Sequence, residues 1–552
     1  MHKMNDKFNK LLTTASLACL IFAISSAWVN AADWPTYMND NARSGVTYDL
    51  LDIITLSTQS WVYSASSVTR TAWGGPAPWD AFRNKPSLAP MRDFDKSAYV
   101  TVVGNKLYIG SSVDDSVVCL NAATGAELWA YVTGGPVRFP PSHDSGKLYF
   151  GSDDGYAYCV DADTGALIWK YTPIPAADQK LICNNGNLIP MWPVRTGVAV
   201  YDGKAYFASG LVPWKSSYLC AVDASTGSDS GTGLYKVSGG KTPMGAILVS
   251  STKIYLSQGR TAPYCYDRTT GASIGQLGQN ASNGGSFALL TQDSPSRFVR
   301  GTGLRSSDQS EISEFNADTR DFIAGNSAAK CMVVEGTNAY IVTGTNLKSL
   351  RRSDGGTEWT VPCDTTDSLI WVNNLLFAGG DGKVAAYSTT DGSELWTATV
   401  EGNAVGLAAA SLCLYVSTDS GKVYAYQADP DFDDDGIDDA WEMNNFGSIS
   451  TCNASSDADG DGYSDYSEFV AGTQPTNSAS LLTLSRANII SDSAIELSWP
   501  SQPTKNYTVK YKTNLLANLW QPLTSYMATP PINTSTVTVR NYRTGFFLIE
   551  VQ

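Results

Sequence analysis

The stretch Gly146–Tyr171, GKLYFGSDDGYAYCVDADTGALIWKY, decides the fold. It holds an alternating run from Lys147 to Gly151, a polar turn, a second run from Tyr156 to Val160, an Asp-Ala-x-Thr-Gly turn and a third run ending on Trp169. Period-two alternation puts successive side chains on opposite faces of a sheet, and Thr164-Gly165 supplies the chemistry that reverses the chain. Helical spacing is absent, so three short strands joined by tight turns are predicted.

Self-similarity at about 40 residues marks repeat architectures. Copies run from Asn105 to Val132 (NKLYIGSSVDDSVVCLNAATGAELWAYV) and begin again at Asp202, Ser251, Thr337, Asn373 and Ala410, with a decayed copy from Ser296 to Gly325, making eight units. The last unit stops at Gln427 without its third strand, while an orphan strand, LSTQSWVYSA, sits at Leu56 to Ala65. An N-terminal strand completing the C-terminal unit would close a ring and remove exposed sheet edges. The expected fold is therefore all-β: an eight-bladed β-propeller over residues 32–428, closed by an N-terminal strand.

Asp161-Ala-Asp-Thr-Gly165 with Trp169, echoed at Asn121 to Trp129 and Thr390 to Trp396, resembles the PQQ-like propeller repeat of quinoprotein alcohol dehydrogenases and of the outer-membrane assembly scaffold BamB. The run Asp33 to Gly45, DWPTYMNDNARSG, also looks like the opening of secreted bacterial members. The resemblance implies the fold and leaves function open, because one fold hosts many activities.

Lys3, Lys7 and Lys10, the apolar run Leu17 to Ile24 and Val29-Asn30-Ala31 read as a secretory leader over residues 1–31, cleaved near Ala31. Export to the periplasm, the cell surface or the medium is expected, with cell-surface or outer-membrane association open. No apolar run is long enough to span a membrane. The leader holds three Lys and one Asp, so the net charge of −15 becomes −17 without it. Nucleic acid would be repelled. Nine of ten cysteines remain, and Cys119, Cys159, Cys220 and Cys265 recur at one strand position, which reads as a small packing site rather than as disulfides.

Propeller strands alternate direction, so the Thr-Gly turns share one face and the long loops the other. The link Ser66 to Ser97 carries Trp73, Trp79, Asp80, Arg83, Arg92, Asp93 and Asp95, and the link Ala176 to Arg195 carries Asp178, Lys180, Trp192 and Arg195. Middle turns add Asp114 and Asp115, Asp153 and Asp154, Trp214 with Lys215, and Arg260, while Arg138 precedes an inner strand. Guanidinium forks, carboxylates and indoles together suit a polar ligand, a polysaccharide or a protein surface, and long ordered loops are often functional. A solvated rim that only plugs the channel is the alternative. Asp114, Asp115, Arg138 and Arg195 are the weak catalytic candidates for a lyase or hydrolase acting on an acidic polysaccharide. Only His143 survives leader removal, which leaves no material for a triad or a multi-histidine zinc site. Neither a vicinal Cys pair nor Cys-x-x-Cys-His occurs, so a quinone cofactor (PQQ) is not expected.

After Gln427 the composition turns acidic. Asp431–Glu442 (DFDDDGIDDAWE) and Asp457–Glu468 (DADGDGYSDYSE) each match D-x-D-x-D-G-x5-E. That spacing suits two Ca2+ sites, with Asp431, Asp433, Asp435, Ile437, Asp439 and Glu442 in the first and Asp457, Asp459, Asp461, Tyr463, Asp465 and Glu468 in the second. No helix pattern precedes either loop, so residues 429–480 resemble dockerin-like or thrombospondin type 3-like repeats. From Leu481 alternating runs predict a small β-sandwich, fibronectin-like, over residues 481–552.

Overall fold

The structure, a computed structural model, describes residues 33–551 except 50, 52–55, 57, 67, 69–96, 185–186, 212–214, 259–260, 278–286, 295, 302–310, 429–430, 432, 434, 447–450, 492, 504, 515, 517–518 and 539–545. The expected leader lies outside the described residues. These residues form two compact units, one within Met1–Asp49 and Ser60–Ala425 and the other within Leu50–Gln59 and Tyr426–Gln552.

The first unit is a β-propeller. Six antiparallel four-stranded sheets follow one another: A (Val100–Val103, Lys106–Ser111, Ser116–Asn121, Glu127–Val132), B (Ser142–Asp144, Lys147–Gly151, Ala157–Asp161, Leu167–Tyr171), C (Ala199–Tyr201, Lys204–Ser209, Ser217–Asp223, Tyr235–Gly239), D (Leu248–Val249, Lys253–Gln258, Thr261–Asp267, Ser273–Gln276), E (Phe287–Leu290, Arg297–Gly301, Glu311–Asn316, Phe322–Ser327) and F (Cys331–Glu335, Asn338–Val342, Asn346–Arg351, Thr357–Pro362). A larger sheet runs in the order Val46–Thr47, Ser368–Val372, Leu375–Ser388, Glu394–Ala410, Cys413–Thr418, Lys422–Gln427, Thr58–Ser64. The orphan N-terminal strand thus pairs beside the last repeat, as the incomplete final unit predicted.

The quoted stretch folds as three strands of sheet B, with Lys147–Gly151 and Ala157–Asp161 in antiparallel register. Its turn is held by Asp161, whose Oδ1 accepts from the Asp163 amide (3.1 Å), the Thr164 amide (2.9 Å) and the Thr164 hydroxyl (2.7 Å). Gly165 completes the turn at φ +70, where a side chain is disfavoured. A Cβ there would meet Trp129 of sheet A at 2.6 Å, so the glycine also lets an indole lie flat on the turn. The same arrangement recurs with Trp61 on Gly125 (2.6 Å), Trp169 on Gly227 (2.7 Å), Tyr235 on Gly271 (2.6 Å) and Trp359 on Gly392 (2.7 Å). Trp61, Trp169 and Trp359 donate Nε1 to Ala122, Ala224 and Thr389 carbonyls at 2.9–3.0 Å. Second-strand tyrosines add a further stitch, as Tyr108 to the Ala162 carbonyl and Tyr149 to the Ala224 carbonyl. At these five places one repeat is therefore fastened to the next through a fourth-strand aromatic and a glycine turn, whereas Gly355 of sheet F has nothing within 4 Å of its missing Cβ.

Between the sheets lie apolar clusters such as Tyr149, Cys159, Val194, Phe207 and Val222. The recurring cysteines Cys119, Cys159, Cys220 and Cys265 are fully buried and unpaired. Burial pushes the Cys119 and Cys159 thiols up to about 12, which makes them packing residues rather than nucleophiles.

First strands of successive sheets neighbour one another and line the axis. Residues 33–49 are laced across them, mostly near the ends from which tight turns lead to the second strands. Trp34 exchanges backbone hydrogen bonds with Val102, Pro35 accepts from His143, and Asn41 bonds both Val200 and Val249. Ala42 accepts from Leu290, Gly45 accepts from Trp371, and the Tyr48 hydroxyl donates to Glu335. Arg43, 2% exposed, donates to the carbonyls of Ile247, Tyr37 and Asp40 and to the Thr36 hydroxyl. Burial drives its pKa down to about 10.

In the second unit, helices α1 (Asp439–Phe446) and α2 (Asp465–Ala471) follow the two acidic loops and meet through Trp441 and Phe469, with ring centroids 5.5 Å apart. Beyond them stand two three-stranded antiparallel sheets, Arg486–Ser491 with Ala494–Pro500 and Ile532–Thr538, and Gln521–Met527 with Asn506–Lys512 and Phe546–Val551. Leu497, Trp499, Tyr507, Val509 and Val537 form one core between these sheets.

Candidate functional site

The loop-rich end of the propeller is built by segments that enter first strands and by turns that leave second strands. Pro136-Val137-Arg138 precedes the first strand of sheet B, and Pro193-Val194-Arg195 precedes that of sheet C. Each valine packs against a glycine near the end of the preceding sheet's second strand: a Cβ on Gly110 would meet Val137 at 2.9 Å, and one on Gly151 would meet Val194 at 2.4 Å. That fixes both arginines in equivalent places, and they converge on Asp153.

Arg138 donates Nε and Nη2 to Asp153 Oδ2 at 2.9 and 2.8 Å. Arg195 donates Nε to Oδ1 and Nη2 to Oδ2, both at 2.8 Å. All three residues are buried, with Asp153 2% exposed. Burial alone would raise the Asp153 pKa, but Arg195 and then Arg138 outweigh it and hold the carboxyl below its ordinary value. The two arginines are thus drawn into an internal ion-pair cluster instead of presenting guanidinium forks to solvent.

The other candidates are dispersed. Asp114 is exposed and accepts from the Ser66 hydroxyl at 2.6 Å and the Ser111 hydroxyl at 3.2 Å. Asp115 sits at φ +51, and its carbonyl accepts from Thr133. Asp178 and Lys180 are exposed, on and just after the 3-10 turn Ala176–Asp178, and half-buried Trp192 donates Nε1 to the Ser216 carbonyl at 2.6 Å. Trp79, Asp80, Arg83, Arg92 and Asp95, with Trp73, Asp93, Trp214 and Arg260, lie outside the described residues. His143 lies on the first strand of sheet B rather than in a turn, and burial lowers its pKa.

Between Lys180 and Met191 the chain forms a hairpin, Leu181–Asn184 paired with Asn187–Pro190. Facing pairs Leu181↔Pro190 and Cys183↔Leu188 share one side of it. Leu181 is 59% exposed and Leu188 70%, and Cys183 is exposed as well. Reading Ala176 to Arg195 as one long link missed this apolar surface, although Asn-Gly between the two apolar runs of LICNNGNLIP is a two-residue hairpin signal.

In the second unit the carboxylates of Asp431, Asp433 and Asp435 lie with their nearest oxygens within 4.8 Å of one another, and so do those of Asp457, Asp459 and Asp461. Gly436 (φ +90) and Gly462 (φ +94) make the sharp turns and donate to Asp431 and Asp457. Ile437 is buried, and its amide donates to Asp435; the amide of half-exposed Tyr463 donates to Asp461. Glu442 and Glu468 are buried at the twelfth positions. Cys452 donates its thiol to Glu442 Oε1 at 3.1 Å, and Thr473 donates to Glu468 Oε1 at 3.0 Å. Asp465 is engaged elsewhere: its carboxylate accepts from the Ser456 hydroxyl and the Ala458 amide, bracing the loop's entrance. The Asp439 side chain lies outside the described residues. Burial first, then the nearby Asp459, Asp461 and Asp465, push Glu468 up to about 7.

Sheets arranged around an axis and stitched by an indole on a Thr-Gly turn define a β-propeller with PQQ-like repeats. The chain belongs to the family described as outer membrane protein assembly factor BamB, which matches residues 64–361 and 380–431. Among solved structures, the quinohemoprotein alcohol dehydrogenase from Comamonas testosteroni is 14% identical, with 71% of this chain and 80% of that chain covered and a TM-score of 0.53. A europium-containing methanol dehydrogenase is 11% identical, with 71% and 97% covered and a TM-score of 0.51. BamB from Moraxella catarrhalis is 15% identical, with 67% and 97% covered and a TM-score of 0.35. At such identities the likeness to the dehydrogenases concerns the fold and not the chemistry. No curated protein matches the chain.

Proposed function

We propose that this chain is an exported, non-enzymatic binding scaffold that engages a partner on the loop-rich end of its propeller. The strands Leu375–Ser388 and Glu394–Ala410 each change partner midway, so we count the large sheet as two blades and the ring as eight. Export rests on the leader pattern of residues 1–31, and no helix among the described residues is long and apolar enough to cross a membrane. Residues 429–480 act as a spacer, and residues 481–552 as a β-sandwich appendage.

The observation that carries this reading is the hairpin Leu181–Pro190, whose one face exposes Leu181, Cys183 and Leu188. Apolar side chains held outward on a paired strand suit contact with a protein better than with a sugar, and burying them would stabilise a complex by about 25 cal/mol per Å2. The arginines expected to grip an acidic polysaccharide are instead consumed by Asp153, which weakens the lyase or hydrolase reading. A polysaccharide ligand stands as the second choice, on the strength of Trp192 with Lys180.

The test is photo-crosslinking from position 188 in the native envelope, with the Leu181→Asp, Leu188→Asp variant as control, alongside a glycan array on the purified protein. A discrete protein adduct that the variant cannot form supports the scaffold. Turnover of a polysaccharide that Asp114→Asn or Asp115→Asn abolishes would replace it with the enzyme.

A further inference from the structure

The acidic loops of the second unit carry a chemistry independent of the propeller. In Asp457–Glu468 the carboxylates are oriented by backbone amides: Asp457 accepts from Gly460 at 2.8 Å and Gly462 at 2.9 Å, Asp459 from Asp461 at 3.2 Å, and Asp461 from Tyr463 at 2.8 Å. Asp457 accepts on both oxygens, whereas Asp459 and Asp461 accept these bonds on Oδ1 alone. Asp459 Oδ2, Asp461 Oδ2 and Glu468 Oε2 are buried and accept no hydrogen bond. Glu468 as a whole is only 2% exposed. Burying a carboxylate oxygen without a donor costs more than about 1–3 kcal/mol, and a loop that does so three times at positions three, five and twelve is shaped for something other than hydrogen bonds. Asp435 Oδ2, at position five of the first loop, is buried in the same way.

We propose that Asp431–Glu442 and Asp457–Glu468 each bind one Ca2+, and that the second ion is a structural latch fixing α2 against the C-terminal sheets. A hard cation taking six to eight oxygens matches a cage of carboxylates plus the Tyr463 carbonyl, with a flexible loop favouring Ca2+ over the smaller and more demanding Mg2+. Asp465, the ninth residue, is braced by Ser456 and Ala458, so water rather than this carboxylate completes the second site. The latch follows from what Glu468 touches. It stands in the middle of α2, its carbonyl accepts from Gly472, whose αL conformation ends the helix, and Thr473 returns both its amide and its hydroxyl to Glu468. A Cβ on Gly472 would meet Gln502 at 3.3 Å and Lys505 at 3.6 Å, so the helix end seats directly on the loop between two strands of the C-terminal sheets. An ion on Glu468 Oε2 holds that corner in place. Tyr466 of α2 lies over Gly436 of the first loop, and Trp441 lies on Phe469, which ties the two loops into one block.

The experiment uses the whole mature protein stripped with a chelator. Tb3+ is added as a luminescent probe sensitised by Trp441 and Tyr463, then competed with Ca2+, with stoichiometry from calorimetry. Two ions per chain are expected, falling to one in Glu442→Gln and to one in Glu468→Gln. Asp459→Asn, which keeps the side chain's volume, repeats the second test should the buried Glu468 variant misfold. Limited proteolysis reads the latch: Ca2+ protects the region around residues 472–505 in the wild type and in Glu442→Gln, and fails to protect it in Glu468→Gln. No uptake, or two ions retained in both Glu468→Gln and Asp459→Asn, overturns the sites. Uptake without protection overturns the latch.

Discussion

Replacing Gly165 with alanine separates the two demands that the Thr-Gly turn makes on its glycine. The first is conformational: at φ +70 an alanine is strained by roughly 1–2 kcal/mol. The second is contact, since the new Cβ would stand 2.6 Å from Trp129 Cε3 and 2.8 Å from Cδ2, well inside van der Waals distance, and the indole is pinned on its own strand opposite Cys119. Overpacking of this kind costs about 1–3 kcal/mol, so Gly165→Ala should lose about 2–5 kcal/mol in total. Gly203 provides the control, because it has φ +67 and nothing within 4 Å of its missing Cβ. Gly203→Ala should therefore lose only the conformational part. Equilibrium urea unfolding followed by tryptophan fluorescence measures both, and a Trp129→Leu background should remove most of the excess at position 165 while leaving position 203 unchanged. Equal losses at the two glycines, or an excess that survives Trp129→Leu, would refute the claim that indole stacking is what requires glycine in these turns.

Asp153→Ala removes the carboxylate shared by two buried guanidinium groups and should cost about 3–5 kcal/mol by the same assay. Because the Asp153 pKa is depressed in the folded chain, its contribution is complete above the unfolded value of about 3.9 and fades as pH falls toward the folded value; a denaturation series down to pH 3 should show this acid loss in the wild type and not in the alanine variant. Trp34→Ala, which empties a site 1% exposed where residue 34 bridges to Val102 of sheet A, should cost about 3–5 kcal/mol and make residues 33–49 accessible to protease. Trp499→Ala should cost a similar amount in the second unit, read by loss of near-ultraviolet dichroism from the C-terminal sheets.

What could be read from the sequence was whatever depends on neighbours in the chain. Lys147–Gly151 alternates because one face packs and the other does not, and Asp161 to Gly165 carries its own turn geometry, so the strands and reversals of each repeat were visible. The orphan strand Leu56 to Ala65 was legible for a different reason: a repeat lacking a strand is a deficit that only a distant segment can fill. The arginines were misjudged as solvent-facing because their fate depends on Asp153, 15 residues from Arg138 and 42 from Arg195. A signal did exist, the repeated Pro-Val-Arg at 136–138 and 193–195, which by equivalence of repeats sends two side chains toward neighbouring places. Asp465 is a different case, because the motif allows its ninth residue either a direct or a water-mediated contact with an ion. Its position in the motif points to an ion, yet a side chain at that spacing serves equally well to brace Ser456 and Ala458, and only three-dimensional proximity distinguishes the two. The path of residues 33–49 across the axis had no periodic signature at all, since its bonds run from side chains and irregular backbone to strands up to several hundred residues away.

The two ends of the propeller are under unequal physical constraint, and the proposed binding surface lies at the less constrained one. At the Thr-Gly end the turns of Gly125, Gly165 and Gly227 must each satisfy a positive φ, an indole resting on the glycine and an Asp or Asn side chain bonded to the turn amides, and residues 33–49 are bonded across the first strands close by. Any substitution there is charged to stability before it can alter recognition. At the other end the links differ in length from sheet to sheet, and one of them has become a hairpin with an apolar face turned outward. Exposing Leu181 and Leu188 gains nothing for the isolated chain, and Leu181→Asp, Leu188→Asp should leave the unfolding midpoint within about 0.5 kcal/mol of wild type. A surface that can be changed at no cost to the fold, and that is nonetheless apolar, is what the proposed partner contact requires.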